Sequence, residues 1–432
     1  MKYGFLLAGF GIAAAAMSLG VTPAAAANAC PPKKLSEILA PAKKGSMAIA
    51  INCDVKLDPK AVVTKRLVFN GPASSGVTFD CNGATIDGTK AGKQDTIIIQ
   101  SKRTGKKPGA ATWERPENNT IKNCTVKGSI RVIGMGVNGE DEFVKASSHA
   151  KGHTERAQAA APTGIRVHNS TIEAFKRTAI YLAPGVTRFT LTHSKILGRS
   201  NGHAIYLDAE TAHNTFRNNR IAVKTEYRET VAIDGSADNV FAGNSFSALE
   251  NGGIYIYRNC GEGGTVRHQE PRRNRIINNS FYYDKSIGHN LSVKNWLTGS
   301  FNATGKVPAI WLASRNGVQP WCGADSKFGF GTGVNDKDMA RDNVVAHNQI
   351  VKLDAGYMIE VDEKPNEVFG NRSVKAPERG KSGCYVSGAL PRPYLADGQS
   401  AAKFQRKGKA VCTGMQVICD DGELVTKKVA CR

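Results

Sequence analysis

Four stretches decide the fold: residues 214–221 (NTFRNNRI), 239–246 (NVFAGNSF), 274–281 (NRIINNSF) and 343–350 (NVVAHNQI). Each places two asparagines five positions apart, with an aliphatic or aromatic alternation between and beyond them. The pattern recurs at Asn118 and Asn123, Asn214 and Asn219, Asn239 and Asn244, Asn274 and Asn279, Asn343 and Asn348, and Asn366 and Asn371. Asn169 and Ser194 mark two partial units, and second positions at 169, 194, 219 and 244 set a period of 25 residues. Asparagine tolerates left-handed backbone angles and bonds the local main chain, so it suits the turn between two short strands. In stacked turns the amides also bond one another. Such a β-rich period predicts a parallel β-helix, and the lack of 3.6-residue apolar spacing excludes helical solenoids.

Working outward, three blocks lay one strand pattern over another: NGHAIYLDAET (201–211), RETVAIDGSADN (228–239) and NGGIYIYRNCGEGG (251–264). Side chains alternate faces along a strand. Ile205 and Leu207, Val231 and Ile233, and Ile254 and Ile256 are then expected inside. Tyr206 with Asp208, Ala232 with Asp234, and Tyr255 with Tyr257 are expected outside. Extending the alignment gives two outward columns on one exposed sheet. The first holds Tyr181, Tyr206, Ala232, Tyr255, Trp311 and Glu360; the second holds Ala183, Asp208, Asp234, Tyr257, Ala313 and Asp362.

On these repeats, residues 62–374 resemble the right-handed parallel β-helix proteins of the pectate-lyase-like superfold, of polysaccharide lyase and glycoside hydrolase type. FDCNGATIDG (79–88) is similar to the opening coil of that group. The resemblance implies an all-β solenoid with substrate across an exposed sheet, but the superfold also hosts epimerases, esterases and non-catalytic proteins. The organisation read from the chain is a signal peptide at 1–27, an N-terminal cap segment at 28–61, the β-helix at 62–375, and a linker with a Cys-rich, disulfide-closed appendage at 376–432. Long insertions at 135–162, 282–307 and 314–341 read as walls or lids of a site.

The signal pattern and ten cysteines, none in CxxC spacing, point to an exported, disulfide-bonded bacterial protein, secreted or periplasmic. Cys30 with Cys53 and Cys81 with Cys124 are the expected pairs, with the last four cysteines closing the tail. No further run is long and apolar enough to span a bilayer. The formal charge of +21 favours a polyanionic partner. Nucleic acid is disfavoured by an aromatic content of 7% and by the lack of a recognised motif. The expected partner is an acidic polysaccharide, bound by a monomer.

Around Asp208 and Asp234 the chain is dense in ionisable groups: His203, Glu210, Lys224, Glu226, Arg228, Glu229, Arg258, Glu262, Arg267 and His268. Two chemistries fit. β-Elimination from a uronate needs its carboxylate neutralised by Ca2+ or a basic side chain, and a base for the adjacent proton. Asp208, Glu210, Glu229 and Asp234 are candidate Ca2+ ligands, and Lys224, Arg228, Arg258, Tyr257 and His268 are candidate neutralisers or proton carriers. Glycoside hydrolysis needs two carboxyls flanking the bond, for which Asp208 and Asp234 are the candidates. Tyr181, Tyr206, Tyr255 and Trp311 would bind sugar faces. Elimination is the leading expectation and hydrolysis the second. The third is a non-catalytic carbohydrate-binding or cell-envelope scaffold. No organic cofactor is expected.

Overall fold

The computed structural model describes residues 28–91, 95–137, 141–259, 262–283, 307–316, 324–325, 329–330, 337–375, 413–420 and 423–430. Every turn of the chain contributes one strand to each of three parallel sheets, and each sheet has ten strands. One coil runs from Ile180–Leu182 in the first sheet to Thr190–Thr192 in the second and Lys195–Ser200 in the third. The next begins at Ile205–Leu207, with Ile180 beside Ile205 and Ile205 beside Val231. The coils begin at Ala48–Ala50, earlier than the boundary at 62, because the first three strands are only two or three residues long. FDCNGATIDG therefore forms the second coil, through Thr78–Asp80 and Thr85–Asp87.

The alternation read from the sequence holds inside the coil. Ile205, Leu207, Val231, Ile233, Ile254 and Ile256 are all buried in one continuous core. Phe216 stacks on Phe241 at 4.5 Å, and Phe246 on Phe281 at 4.8 Å. Each such stack adds about 1 kcal/mol beyond the apolar area it buries.

The asparagines form two buried ladders. Asn214 donates its amide to Asn239, Asn239 to Asn274, and Asn274 to Asn343. Asn219, Asn244, Asn279, Asn348 and Asn371 form the second ladder. At the first turns the alignment shifts by one residue. Asn123 and Asn169 occupy the left-handed turn position, with φ of 56° and 45°, while Ser170 and Ser194 join the second ladder. Likewise Asn119, not Asn118, carries the buried amide of the first ladder in its coil.

Helix α1 (Pro32–Leu39) puts Ile38 into the core at the first coil. The disulfides Cys30–Cys53 and Cys81–Cys124 are formed as expected. Such bonds persist in oxidising compartments. The first insertion is helical, with α2 (Glu142–Ser148) and α3 (His153–Ala160). Among the described residues no helix is long and apolar enough to cross a membrane. Near the C-terminus, Thr413–Asp420 and Glu423–Ala430 pair as an antiparallel hairpin. The signal segment at 1–27 and the expected closure of the tail by disulfides lie outside the described residues.

Candidate functional site

The outward columns of the first sheet are in register as read, but the face is not open. Tyr255, Tyr257, Ala232 and Trp311 are buried in a second apolar cluster against which Tyr206 packs. The expectation of an exposed sheet fails because the chain folds back over it. The Asn259 amide donates to Asp234, and Arg267 lies against Asp234, Asp208 and the Tyr206 hydroxyl.

Asp208 and Asp234, on adjacent coils, are both buried around Arg267. Its guanidinium is ion-paired with Asp234 and stands 3.6 Å from Asp208. Asp208 accepts the Tyr181 hydroxyl at 2.5 Å and the Ala209 amide at 2.8 Å. Asp234 accepts the Tyr206 hydroxyl at 2.6 Å and the Asn259 amide at 2.7 Å. Burial, reinforced by these carboxylates, pushes both tyrosine hydroxyls well above their ordinary range, so both remain protonated donors.

Two positions upstream of Val231, Glu229 gathers a second cluster. His203 Nε2 lies 3.3 Å from its carboxylate, Arg315 lies 3.7 Å away, and the Tyr257 hydroxyl donates to it at 2.8 Å. Burial alone would raise this carboxyl, but His203, Arg315 and Arg228 hold it well below the carboxylate range. Arg315 lies over the Tyr257 ring at 4.5 Å. Behind it, Asp338 accepts the Arg315 amide at 2.8 Å and the Arg258 amide at 3.2 Å. Burial pushes the Asp338 carboxyl up to about 8 despite those donors.

Glu210 belongs to a third cluster. It accepts the Thr154 hydroxyl at 2.5 Å, the His268 amide at 2.7 Å and the Gln269 amide at 3.0 Å. Burial raises its carboxyl. α2 and α3 dock on the same segment: His268 Nε2 meets the Ser148 carbonyl at 2.6 Å, and the His268 ring packs edge-on against His153 at 5.2 Å.

The expected site residues therefore separate into distinct surroundings. Asp208, Asp234, Tyr181 and Tyr206 meet at Arg267, and Tyr257 and Glu229 meet at Arg315. Lys224 is not among them, because it points outward, exposed, from the third sheet. Arg258 turns away to the Lys337 carbonyl at 2.7 Å. His268 is engaged by α2 and α3, and Arg228 is half-buried near Glu229. The four expected Ca2+ ligands do not converge. Glu210 is held by the Thr154 hydroxyl and two backbone donors, Glu229 lies against His203, Tyr257 and Arg315, and a cation between the aspartates would have to displace Arg267. Among the described residues no group of three or more His, Cys, Asp or Glu side chains is arranged to hold a metal ion.

A ladder runs along the first column, and all of its members but the buried Tyr181 keep partial exposure. Arg131 lies over the Tyr181 ring at 4.4 Å, Tyr181 stacks on Tyr206 at 5.7 Å, and His203 stacks on Tyr206 at 4.8 Å. Arg131, His203 and Tyr206 are half-buried. Arg131 was legible, since it precedes Tyr181 in the same column. Arg315 and Asp338 carried no such signal, because both lie in the insertion at 314–341, outside the repeat.

A family model described as right handed beta helix region matches residues 158–328. The fold is a right-handed parallel β-helix. Solved structures of this fold match at low identity. One is the catalytic domain of a GH87 α-1,3-glucanase in complex with nigerose, at 10% identity and a TM-score of 0.31, covering 77% of this chain. The present chain spans about half that structure's length, 52%. A second is DFA-IIIase from Arthrobacter chlorophenolicus A6 without its lid, at 10% identity and a TM-score of 0.36, over 79% of this chain and 83% of that one. A third is alginate lyase from Paenibacillus sp. str. FPU-7, at 11% identity and a TM-score of 0.25, over 72% and 89%. No curated protein matches the sequence.

Proposed function

We propose that the protein is an exported polysaccharide lyase that cleaves an acidic polysaccharide by β-elimination, without a resident metal. The observation that carries this reading is the ladder of Arg131, Tyr181, Tyr206 and His203, half-buried at all but Tyr181, with His203 backed by Glu229. Within the ladder the tyrosine faces are taken by Arg131, by each other and by His203, so a pyranose would lie along the ring edges, while the arginine offers two parallel donors to its carboxylate. In the proposed reaction, Arg131 and Arg228 neutralise the uronate carboxylate, which makes the adjacent C–H acidic. His203 takes that proton on Nδ1, since Nε2 faces Glu229, and Glu229 stabilises the imidazolium that results. The C–H electron pair forms the double bond as the glycosidic C–O bond breaks. The His203 imidazolium returns the proton from Nδ1 to the departing oxygen. Asp208 and Asp234 act as positioning residues that orient the two tyrosines.

Hydrolysis by the aspartate pair fits less well. It requires one carboxylic acid with a proton to give and a second that activates water. Here both carboxylates are buried and accept hydrogen bonds from fixed donors. The test is incubation with polygalacturonate, alginate and hyaluronan while absorbance near 232 nm, about the band of an unsaturated uronate, is followed. A rise lost by at least about a hundredfold in His203→Asn is the expected result. New reducing ends without absorbance would replace the reading with hydrolysis, and binding with neither product would replace it with a non-catalytic scaffold.

A further inference from the structure

The third sheet widens on three coils and nowhere else among its described strands. Thr171–Lys176, Lys195–Ser200 and Arg220–Thr225 are six residues long, whereas the other strands of that sheet have two or three. The added residues stay in register, which aligns Phe175 with Arg199 and Arg199 with Lys224. All three are exposed on the outward face, and Phe175 is 47% accessible. Neither Arg199 nor Lys224 has a carboxylate partner among the described residues. Lys176 Nζ lies 5.6 Å from the Phe175 ring centre.

Backbone chemistry holds the extension in place. Gly198 has a φ of 96°, and a Cβ there would meet the Ala174 carbonyl oxygen at 2.4 Å. Only glycine lets the middle strand lie this close to its neighbour while keeping Arg199 in line. The chain leaving the widened strands continues the surface around the corner: Arg177 follows the first, and Tyr227 and Arg228 follow the third. Arg177 and Tyr227 are exposed, and Arg228 is half-buried near Glu229. Three acidic residues flank the strip, Glu173 within the first strand, Glu226 beside Tyr227, and Asp95, which pairs with Arg177 at 2.9 Å, and Lys176, Arg177, Arg199, Lys224 and Arg228 still outnumber them.

We infer that Phe175, Arg199 and Lys224, continued by Arg177, Tyr227 and Arg228, form an auxiliary binding strip for an acidic polysaccharide chain that extends away from the His203 ladder. The inference rests on the polysaccharide reading above. An exposed ring beside fixed cations matches a polymer that alternates apolar sugar faces with carboxylates. A single-stranded nucleic acid would call for successive aromatic platforms, and the strip offers one ring in its column. At the spacing of adjacent strands, about 4.8 Å, the Arg199 and Lys224 charges reinforce one another toward an extended polyanion.

The experiment is native affinity electrophoresis of the full-length protein through gels containing polygalacturonate, alginate, hyaluronan or single-stranded DNA. The variants are Arg199→Ala with Lys224→Ala, Phe175→Ala, and a control of equal charge change on the second sheet, Lys56→Ala with Arg166→Ala. The expected result is retardation of the wild type by at least one polysaccharide. The Arg199 and Lys224 double variant should then show an apparent Kd raised about fivefold or more, in a salt-dependent way, and the control should stay close to wild type. Phe175→Ala should weaken retardation with less dependence on salt.

Unchanged retardation of the strip variants would overturn the inference, as would an equal loss in the control. Retardation by DNA alone, or by none of the polymers, would also overturn it. Circular dichroism confirms that each variant is folded. Strip-dependent retardation without any turnover would sink the lyase reading and leave the strip standing. Turnover without strip dependence would do the reverse.

Discussion

Arg267 is ion-paired with Asp234 in the covered face of the first sheet, both side chains being almost wholly buried. The pair ties the Arg267 segment to the coil beneath it, with Asp208 3.6 Å from the same guanidinium. Replacing Arg267 with methionine leaves two buried carboxylates without their cation. The expected loss is about 3 kcal/mol or more, read as a lower urea midpoint. Adding Asp208→Asn and Asp234→Asn to that variant should recover part of the loss, because the uncompensated charge is then gone. A destabilisation under about 1 kcal/mol in the single variant would show that the pair does not hold the segment down.

Asp338 makes stability depend on pH. Its carboxyl is raised to about 8 in the folded protein against 3.8 unfolded, so the folded state keeps a proton that the unfolded state releases. Stability from this group is full below the unfolded value and falls as pH rises, by about 1.4 kcal/mol per pH unit within the window, until it levels off near 8. Asp338→Asn should flatten that decline while keeping one acceptor oxygen, which can serve the Arg315 amide. Unfolding free energies measured from pH 5 to about 9 in both proteins check it.

His153 acts in the opposite direction. Burial, with the charges of His268 and Arg156 nearby, lowers it from 6.5 to about 3, so it is neutral where an unfolded histidine would be charged. The stabilisation is complete above the unfolded value and is lost as pH falls through the window toward 3. Facing it are Ser147 from α2, whose hydroxyl meets Nδ1 at 3.0 Å, and the His268 ring. The expected readout is amide exchange in 141–160 that accelerates on acidification before the core coils open. His153→Leu should remove most of that dependence.

These contrasts show which parts of the fold were legible in the sequence. Strand alternation is a local property, so Ile205, Val231 and Ile254 declared their inward face without any tertiary context. Turn asparagines were legible for the same reason, although Asn123 and Asn169 misled by one position. In that turn the left-handed residue and the ladder residue are adjacent, and asparagine suits both. What covers the outward face was not legible, because it arrives from elsewhere in the chain. Arg267 follows a glycine-rich turn, Arg315 lies in the insertion at 314–341, and the helices of 142–160 lie in a stretch rich in small and charged residues. That last stretch did hold a signal: the Asp141 carboxylate accepts the Phe143 amide at 2.9 Å as an N-cap. The candidate site was thus half legible, its tyrosine columns visible and its arginine contacts hidden.

The ladders yield the last prediction. Asn244 donates its amide to Asn279 and to the Phe216 carbonyl, and its own carbonyl accepts the Asn219 amide and backbone N–H. Truncation to alanine leaves the Asn219 backbone N–H without its acceptor and strips one bond each from the Asn219 amide, the Asn279 carbonyl and the Phe216 carbonyl. The orphaned N–H costs about 1–3 kcal/mol and the lost bonds add to it, so a loss on the order of 3 kcal/mol or more is expected. Asn371 ends the same ladder at the last coil and is half-buried. There water can replace part of what alanine removes, and Asn371→Ala should cost about 1 kcal/mol. Chemical denaturation of both variants measures the difference. Equal losses at the two positions would mean that the ladder contributes residue by residue, with no dependence on burial.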